Sequence, residues 1–241
     1  MADASSAPSS FPTSWSYPGG EIALRLRPHP RARRLALRID AAGDAVELVL
    51  PRRGSRGEAL RFLEANRSWV EKRLAALPPR TAFVDGAAIP VFDRLHLIRH
   101  VGKVRGRGPA WIEDGAICVS GDPAFLARRV RDFLRGLAKQ ELSRRAQALS
   151  ASIGRKVTRV GVRDTTTRWG SCARTGSLSF SWRLVFAPEV VVDYVVAHEV
   201  AHLAEMNHGP RFWRLVERLH PAPKAQRLWL NRNRARLMRI G

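Results

Sequence analysis

Short alternating runs of apolar and polar residues dominate the first half of the chain, and helical stripes dominate the second. Ile22-Ala23-Leu24-Arg25-Leu26-Arg27, Arg34-Leu35-Ala36-Leu37-Arg38-Ile39 and Ala45-Val46-Glu47-Leu48-Val49-Leu50 have the two-residue period of half-buried strands, and Ala41-Ala42-Gly43-Asp44 turns the last two into a hairpin or meander. Residues 58–77 change to helical spacing. Leu60, Leu63, Val70, Leu74 and Leu77 share one side, Phe62 and Trp69 widen the stripe, and Pro78-Pro79 ends it. Further strands are expected over 94–101 and 110–119. Asp122 can cap a long helix and Pro123 suits its first turn, with Phe125, Leu126, Val130, Phe133, Leu134, Leu137 and Leu142 recurring at helical spacing to about residue 152. Residues 157–163 read as a strand and 164–176 as a turn-rich connection. Over 177–186 the large side chains Leu178, Phe180, Trp182 and Leu184 alternate toward a core, so one strand is expected. Pro188 and Glu189 then open a helix so rich in valine, a mediocre helix former, that burial must hold it. Its end is expected near Met206, before Asn207, Gly209 and Pro210, and the long helix should pack behind it. Two more helices are expected over 211–219 and 224–239, separated by Pro221 and Pro223.

These elements predict an α+β chain with a β-rich N-terminal portion followed by a helical core containing a small sheet. The expected divisions are a disordered Ala/Ser/Pro tail over 1–20, a β-rich region over 21–120 and a helical domain over 121–241. No internal repeat is evident. With 241 residues and 45% hydrophobic content, the chain can bury a substantial core as one domain or two coupled subdomains. Cys118 and Cys172 lack a disulfide-framework spacing, which fits a reducing compartment, the cytoplasm. The N-terminus has neither a basic start nor a sustained apolar stretch, so no secretory signal is expected, and no apolar run approaches the roughly 20 residues that span a bilayer.

Candidate chemistry is concentrated on the valine-rich helix. His198-Glu199-Val200-Ala201-His202 places two imidazoles at i and i+4 on one helix face, where both reach a single ion at about 2 Å and the intervening Glu stands beside a metal-bound water. His208 follows six positions after His202, beyond the helix-stopping residues, where the chain can turn back toward the same ion. Three ligands with an open position is the catalytic zinc pattern, whereas structural sites close with four ligands, usually including thiolates. Zinc lowers the pKa of bound water from about 15.7 to about 7, and Glu199 can accept its proton and pass it to a leaving amine. A zinc-dependent peptidase is therefore expected, with His198, His202 and His208 as metal ligands, Glu199 as catalytic base, Zn2+ as cofactor and a protein or peptide as substrate.

The spacing from His202 to His208 equals that of the metzincin proteases, which carry a glycine midway where this chain has Glu205. A wider set of residues resembles the YgjP-like metallopeptidase family, relatives of the SprT-like and WLM zinc proteases. The matching stretches are Arg168-Trp169-Gly170-Ser171-Cys172, Leu178 through Pro188, His198-Glu199-Val200-Ala201-His202 and Met206-Asn207-His208-Gly209-Pro210-Arg211-Phe212-Trp213. The resemblance covers the last third closely and the basic N-terminal part from about Glu21 more loosely. It implies a zincin-like core, the same three histidines as ligands and Glu199 as base.

Tyr194, Arg168 and Arg183 are candidates for stabilising an oxyanion, against packing for the tyrosine and solvation for the arginines. Asp193, Glu205 and Glu217 are candidates for orienting a histidine, Glu205 lying about one turn beyond His202, with an exposed surface position as the alternative. A peptide could pair with the strand at 177–186 if that strand lies at a sheet edge, an interior position being the alternative. Trp169 and Cys172 are read as packing residues. His96 and His100, four apart in a predicted strand, stand about 13 Å from each other, too far to share an ion. His29 and His220 stand alone. Net charge is +21, nearly all from arginine, with clusters at Arg31, Arg33 and Arg34, at Lys103, Arg105 and Arg107, and from Arg227 to the C-terminus. This points to acidic partners such as nucleic acid, anionic lipid or acidic proteins, or to a merely solvated surface. The alternative function is thus a nucleic-acid-binding protein with a structural or idle zinc site, or a protease recruited to DNA as among SprT-like relatives. No membrane partner is expected, and the oligomeric state is not legible.

Overall fold

In the computed structural model, which describes residues 11–40 and 42–241, contacts divide the chain into two units that meet in sequence at Pro78 and Pro79. In the first, β1 (Ser14–Tyr17), β2 (Gly20–Pro28), β3 (Ala36–Ile39) and β4 (Ala45–Leu50) form a sheet in the order β1-β2-β4-β3. The β3–β4 hairpin is the expected one, but β2 pairs parallel with β4, so the sheet is not a meander. β1 falls within the segment expected to be disordered. Trp15 explains it: the indole is buried, packs against Ile22 and Leu63, and donates to Glu64 at 2.8 Å. The rest of that expectation, residues 1–10, lies outside the described residues. The helix expected over 58–77 is two helices, α1 (Arg56–Ala65) and α2 (Arg67–Ala75). The break falls at Asn66, whose side-chain amide donates to the Phe62 carbonyl at 2.8 Å, one of the local bonds by which asparagine competes with a helix.

In the second unit, β5 (Ala88–Val91), β6 (Arg94–His100), β7 (Ala110–Glu113) and β8 (Ala116–Val119) form another sheet, in the order β5-β6-β8-β7 with β6 and β8 parallel. Strand order and directions repeat those of the first sheet, although no repeat is evident in the residues. The single strand expected over 110–119 is a hairpin, because Asp114 and Gly115 take φ of 49° and 72°, the left-handed values of a type I′ turn. Asp122 accepts from Ala124 N–H at 2.8 Å and caps a short 3-10 turn, Pro123–Phe125, ahead of α3 (Leu126–Ser152). Ile89, Ile98, Ile117 and Val119 share one apolar core with Val130, Leu134 and Phe180. That shared core places the second sheet with the helices, in the unit that begins at Pro79.

β9 (Arg159–Arg163), β10 (Gly170–Cys172) and β11 (Ser177–Ser181) make a third sheet in the order β10-β11-β9. β11 is an interior strand, and β10, inside the stretch expected to be turns, is an edge. The expected strand stops at Ser181 because the next residues form a 3-10 helix, Trp182–Phe186, that buries Leu184, Val185 and Phe186 in succession, which a two-residue period cannot do. Then follow α4 (Glu189–Ala201), α5 (Pro210–Leu219) and α6 (Pro223–Met238). The architecture is α+β, with six α-helices and three small sheets among the described residues.

Packing decides α4. Each valine costs a few tenths of a kcal/mol in helix propensity, whereas full burial of a valine contributes about 1.5–3 kcal/mol. Val191, Val192, Val195, Val196 and Val200 are all buried, so burial prevails. α3 packs behind α4 as expected, and Arg145 ties the two through Glu189 at 3.0 Å and Asp193 at 2.6 Å. No described helix is long and apolar enough to cross a membrane.

Candidate metal centre

The start of α4 is fixed from outside the helix. Phe92 and Asp93 turn β5 into β6 with φ of 44° and 68°, and the Asp93 carboxylate accepts from Glu189 N–H at 2.9 Å. An acceptor of negative charge at a helix N-terminus satisfies an orphan donor and complements the dipole. At its other end the helix stops at Ala201, not near Met206. His202 is the C-cap, and the N–H groups of Leu203 and Ala204 reach back to the carbonyls of Val200 and Ala201 at 3.0 and 3.1 Å. This tightening brings the Glu205 carbonyl to 3.1 Å from His202 Nδ1. A donor there leaves Nε2 bare for ligation, so Glu205 orients the ring through its backbone and not through its carboxylate.

The three sequence-predicted ligands converge. Ring centroids of His198 and His202, His198 and His208, and His202 and His208 lie 5.1, 5.1 and 4.7 Å apart, and one nitrogen from each falls within 4.8 Å of the others. His198 Nε2 and His208 Nε2 are 3.2 Å apart. Two nitrogens each about 2.05 Å from a tetrahedral ion would stand about 3.3 Å apart, so the pair matches a shared ion. Phe212, fully buried, underlies all three rings at 4.9, 4.5 and 4.7 Å. Burial pulls the pKa of His198 down to about 4 and lowers that of His202, with the like charges of neighbouring histidines adding to the effect. Both rings are therefore held as neutral imidazoles, the form that ligates. The donor set fits a metal ion, and His208 is exposed on its open side.

Glu199 is buried beside this cluster, and burial pushes its carboxyl up to about 7 against the opposing charge of Arg168. β10 lies directly against it: a Cβ on Gly170 would come 2.5 Å from Glu199 Cγ and Oε1. The site opens into a cavity of about 470 Å³ whose walls include Arg168, Tyr194, Arg227 and Asn231 together with His198 and Glu199. Two of the three oxyanion candidates, Arg168 and Tyr194, are thus present. The third is elsewhere: Arg183 donates to Asp164 at 2.8 Å and to the carbonyls of Met238 and Ile240 at 3.2 and 2.7 Å, anchoring the C-terminus. Asp193 pairs with Arg145, and Glu217 lines a neighbouring recess with Tyr194 and Arg227. Cys172 packs against the core with its thiol pushed up to about 11 by burial and by Glu199, the opposite of an activated nucleophile. His96 and His100 bond backbone carbonyls of Arg94 and Gly121 and take no part. Gly170 and Phe212 stand in the stretches that carry the family resemblance and Arg227 in a basic cluster, but neither they nor Asn231 had an assigned role at the site. Arg227 and Asn231 carried one signal, i and i+4 spacing on a single helix.

Residues 33–233 match the family model described as YgjP-like, metallopeptidase domain. No curated protein and no solved structure matches the chain. The match runs from the residues just before β3 through most of α6 and includes all three histidines and Glu199. The chain therefore belongs to the YgjP-like family, through a metallopeptidase domain that accounts for most of its length.

Proposed function

We propose that this protein is a zinc-dependent peptidase with a zincin-like core, in which His198, His202 and His208 hold the ion and Glu199 is the general base. The observation that carries this reading is the convergence of three imidazoles beside a buried carboxylate at an open cavity. Three nitrogen donors with an open side suit zinc, whereas magnesium and calcium take oxygen ligands. When bound, zinc supplies Lewis acidity, polarising a scissile carbonyl and bringing the pKa of a water to about 7. Glu199, buried beside the three histidines, takes the proton of the attacking water and hands it to the leaving amine. Arg168 and Tyr194 supply donors on the cavity wall for the oxyanion that develops on the substrate. β10, unpaired on its outer side and packed against Glu199 at Gly170, offers backbone groups to an extended peptide, the role that an edge at 177–186 would have had. The test is hydrolysis of a quenched-fluorescence peptide library by zinc-loaded wild type and Glu199→Gln. The variant should retain zinc and lose on the order of 10²- to 10⁴-fold in rate. Undiminished hydrolysis would remove Glu199 from the chemistry.

A further inference from the structure

A second recess, of about 330 Å³, shares His202 with the histidine cluster and is lined by Arg155, Lys156 and Arg174. Arg155 and Lys156 lie between α3 and β9, and Arg174 lies in the turn between β10 and β11. The first cavity carries Arg168 and Arg227. All five cations are exposed, and none makes an ion pair among the described residues. Glu199 is the only carboxylate lining either space. β10 starts at the first recess, at Gly170, and ends at Cys172, next to Ala173 in the second, so a strand paired along it reaches from one to the other in about three residues, roughly 10 Å.

From this arrangement we infer that the preferred substrate is a peptide segment carrying acidic side chains on both sides of the scissile bond, an inference that rests on the peptidase reading. Side chains leaving an extended peptide at β10 enter one recess or the other, and each presents guanidinium or ammonium groups; the recess of Arg155, Lys156 and Arg174 has no carboxylate in its lining to compete, and the first cavity has only Glu199. Arginine binds carboxylate bidentately, and the charge-assisted bonds are about twice as strong as neutral ones. Nucleic acid would be served by cations strung along a surface track. Here they flank a strand edge within one strand length of the general base.

The test is fluorescence anisotropy with two labelled peptides of equal length, carrying Glu or the near-isosteric Gln at the positions around the central bond, on zinc-loaded full-length protein. The Glu peptide should bind on the order of tenfold to a hundredfold more tightly, with the advantage shrinking as salt is added. Combining Arg155→Gln, Lys156→Gln and Arg174→Gln should narrow the gap between the Glu and Gln peptides severalfold, Arg168 and Arg227 retaining the rest, with zinc content at the wild-type level as the control for folding. Equal affinities of the two peptides for the wild type overturn the inference. So does a triple variant that loses binding of a single-stranded oligonucleotide while keeping its preference for Glu undiminished, which would assign the recess to phosphates. Binding and cleavage are separate readouts, so absence of cleavage counts against the peptidase reading and equal affinities count against this one.

Discussion

At Gly170 the backbone of β10 comes so close to Glu199 that a methyl group would overlap the carboxylate, and this contact positions the proposed base. Gly170→Ala should therefore fold and bind zinc but lose hydrolysis by on the order of 10²-fold, the effect expected of roughly an ångström of misplacement. Steady-state kcat with parallel zinc analysis measures it, and wild-type kcat would show that the contact is idle. Phe212 acts from below the histidines. Phe212→Ala should cost about 3–5 kcal/mol in denaturant unfolding, the usual range for emptying a buried aromatic site, and should weaken zinc binding because all three rings lose their support. The convergence of His198 and His202 was legible because i and i+4 spacing puts them on one helix face, and that of His208 because helix-stopping residues turn the chain back toward them. The roles of Gly170 and Phe212 were not, because each acts on residues of a different element, a relation that no local spacing records.

Elements were legible where one periodicity persisted and one face was buried, as in α3 and α4. They were misread where turn chemistry or a local side-chain bond broke a run: Asp114-Gly115 folds an apparent strand into a hairpin, and Asn66 splits an apparent helix. β10, three residues long, was too short for any period to register. The α3–α4 pair makes its own predictions. Arg145 has a side chain only 10% exposed and serves Glu141, Glu189 and Asp193, so Arg145→Met should destabilise the protein by about 1–3 kcal/mol in urea unfolding. Hydrogen bonds from Arg144 and then Arg145 hold the Glu141 carboxyl at about 2, below its ordinary 4.5. A depressed carboxylate stabilises the fold above its unfolded pKa, and that contribution is lost as pH falls from 4.5 toward 2. Urea midpoints of the metal-free protein across that window should fall less steeply for Glu141→Gln than for the wild type. Identical slopes would mean that the ion pairs contribute nothing.

On the scale of the whole molecule, the two units repeat one sheet topology without repeating residues, and His198, His202 and His208 all lie in the unit from Pro79 onward. Zinc should therefore stabilise that unit by RT ln(1 + [Zn]/Kd) and raise the temperature of its calorimetric transition, while leaving the transition of the N-terminal unit in place. A uniform shift of a single transition would show that the units unfold together. Everything proposed about activity depends on the three histidines holding one ion. Elemental analysis of the purified protein, wild type beside His208→Ala, tests this most directly. About one zinc per chain, lost or much weakened in the variant, is the predicted result. No zinc even after its addition, or full zinc in His208→Ala, would contradict the three-histidine centre.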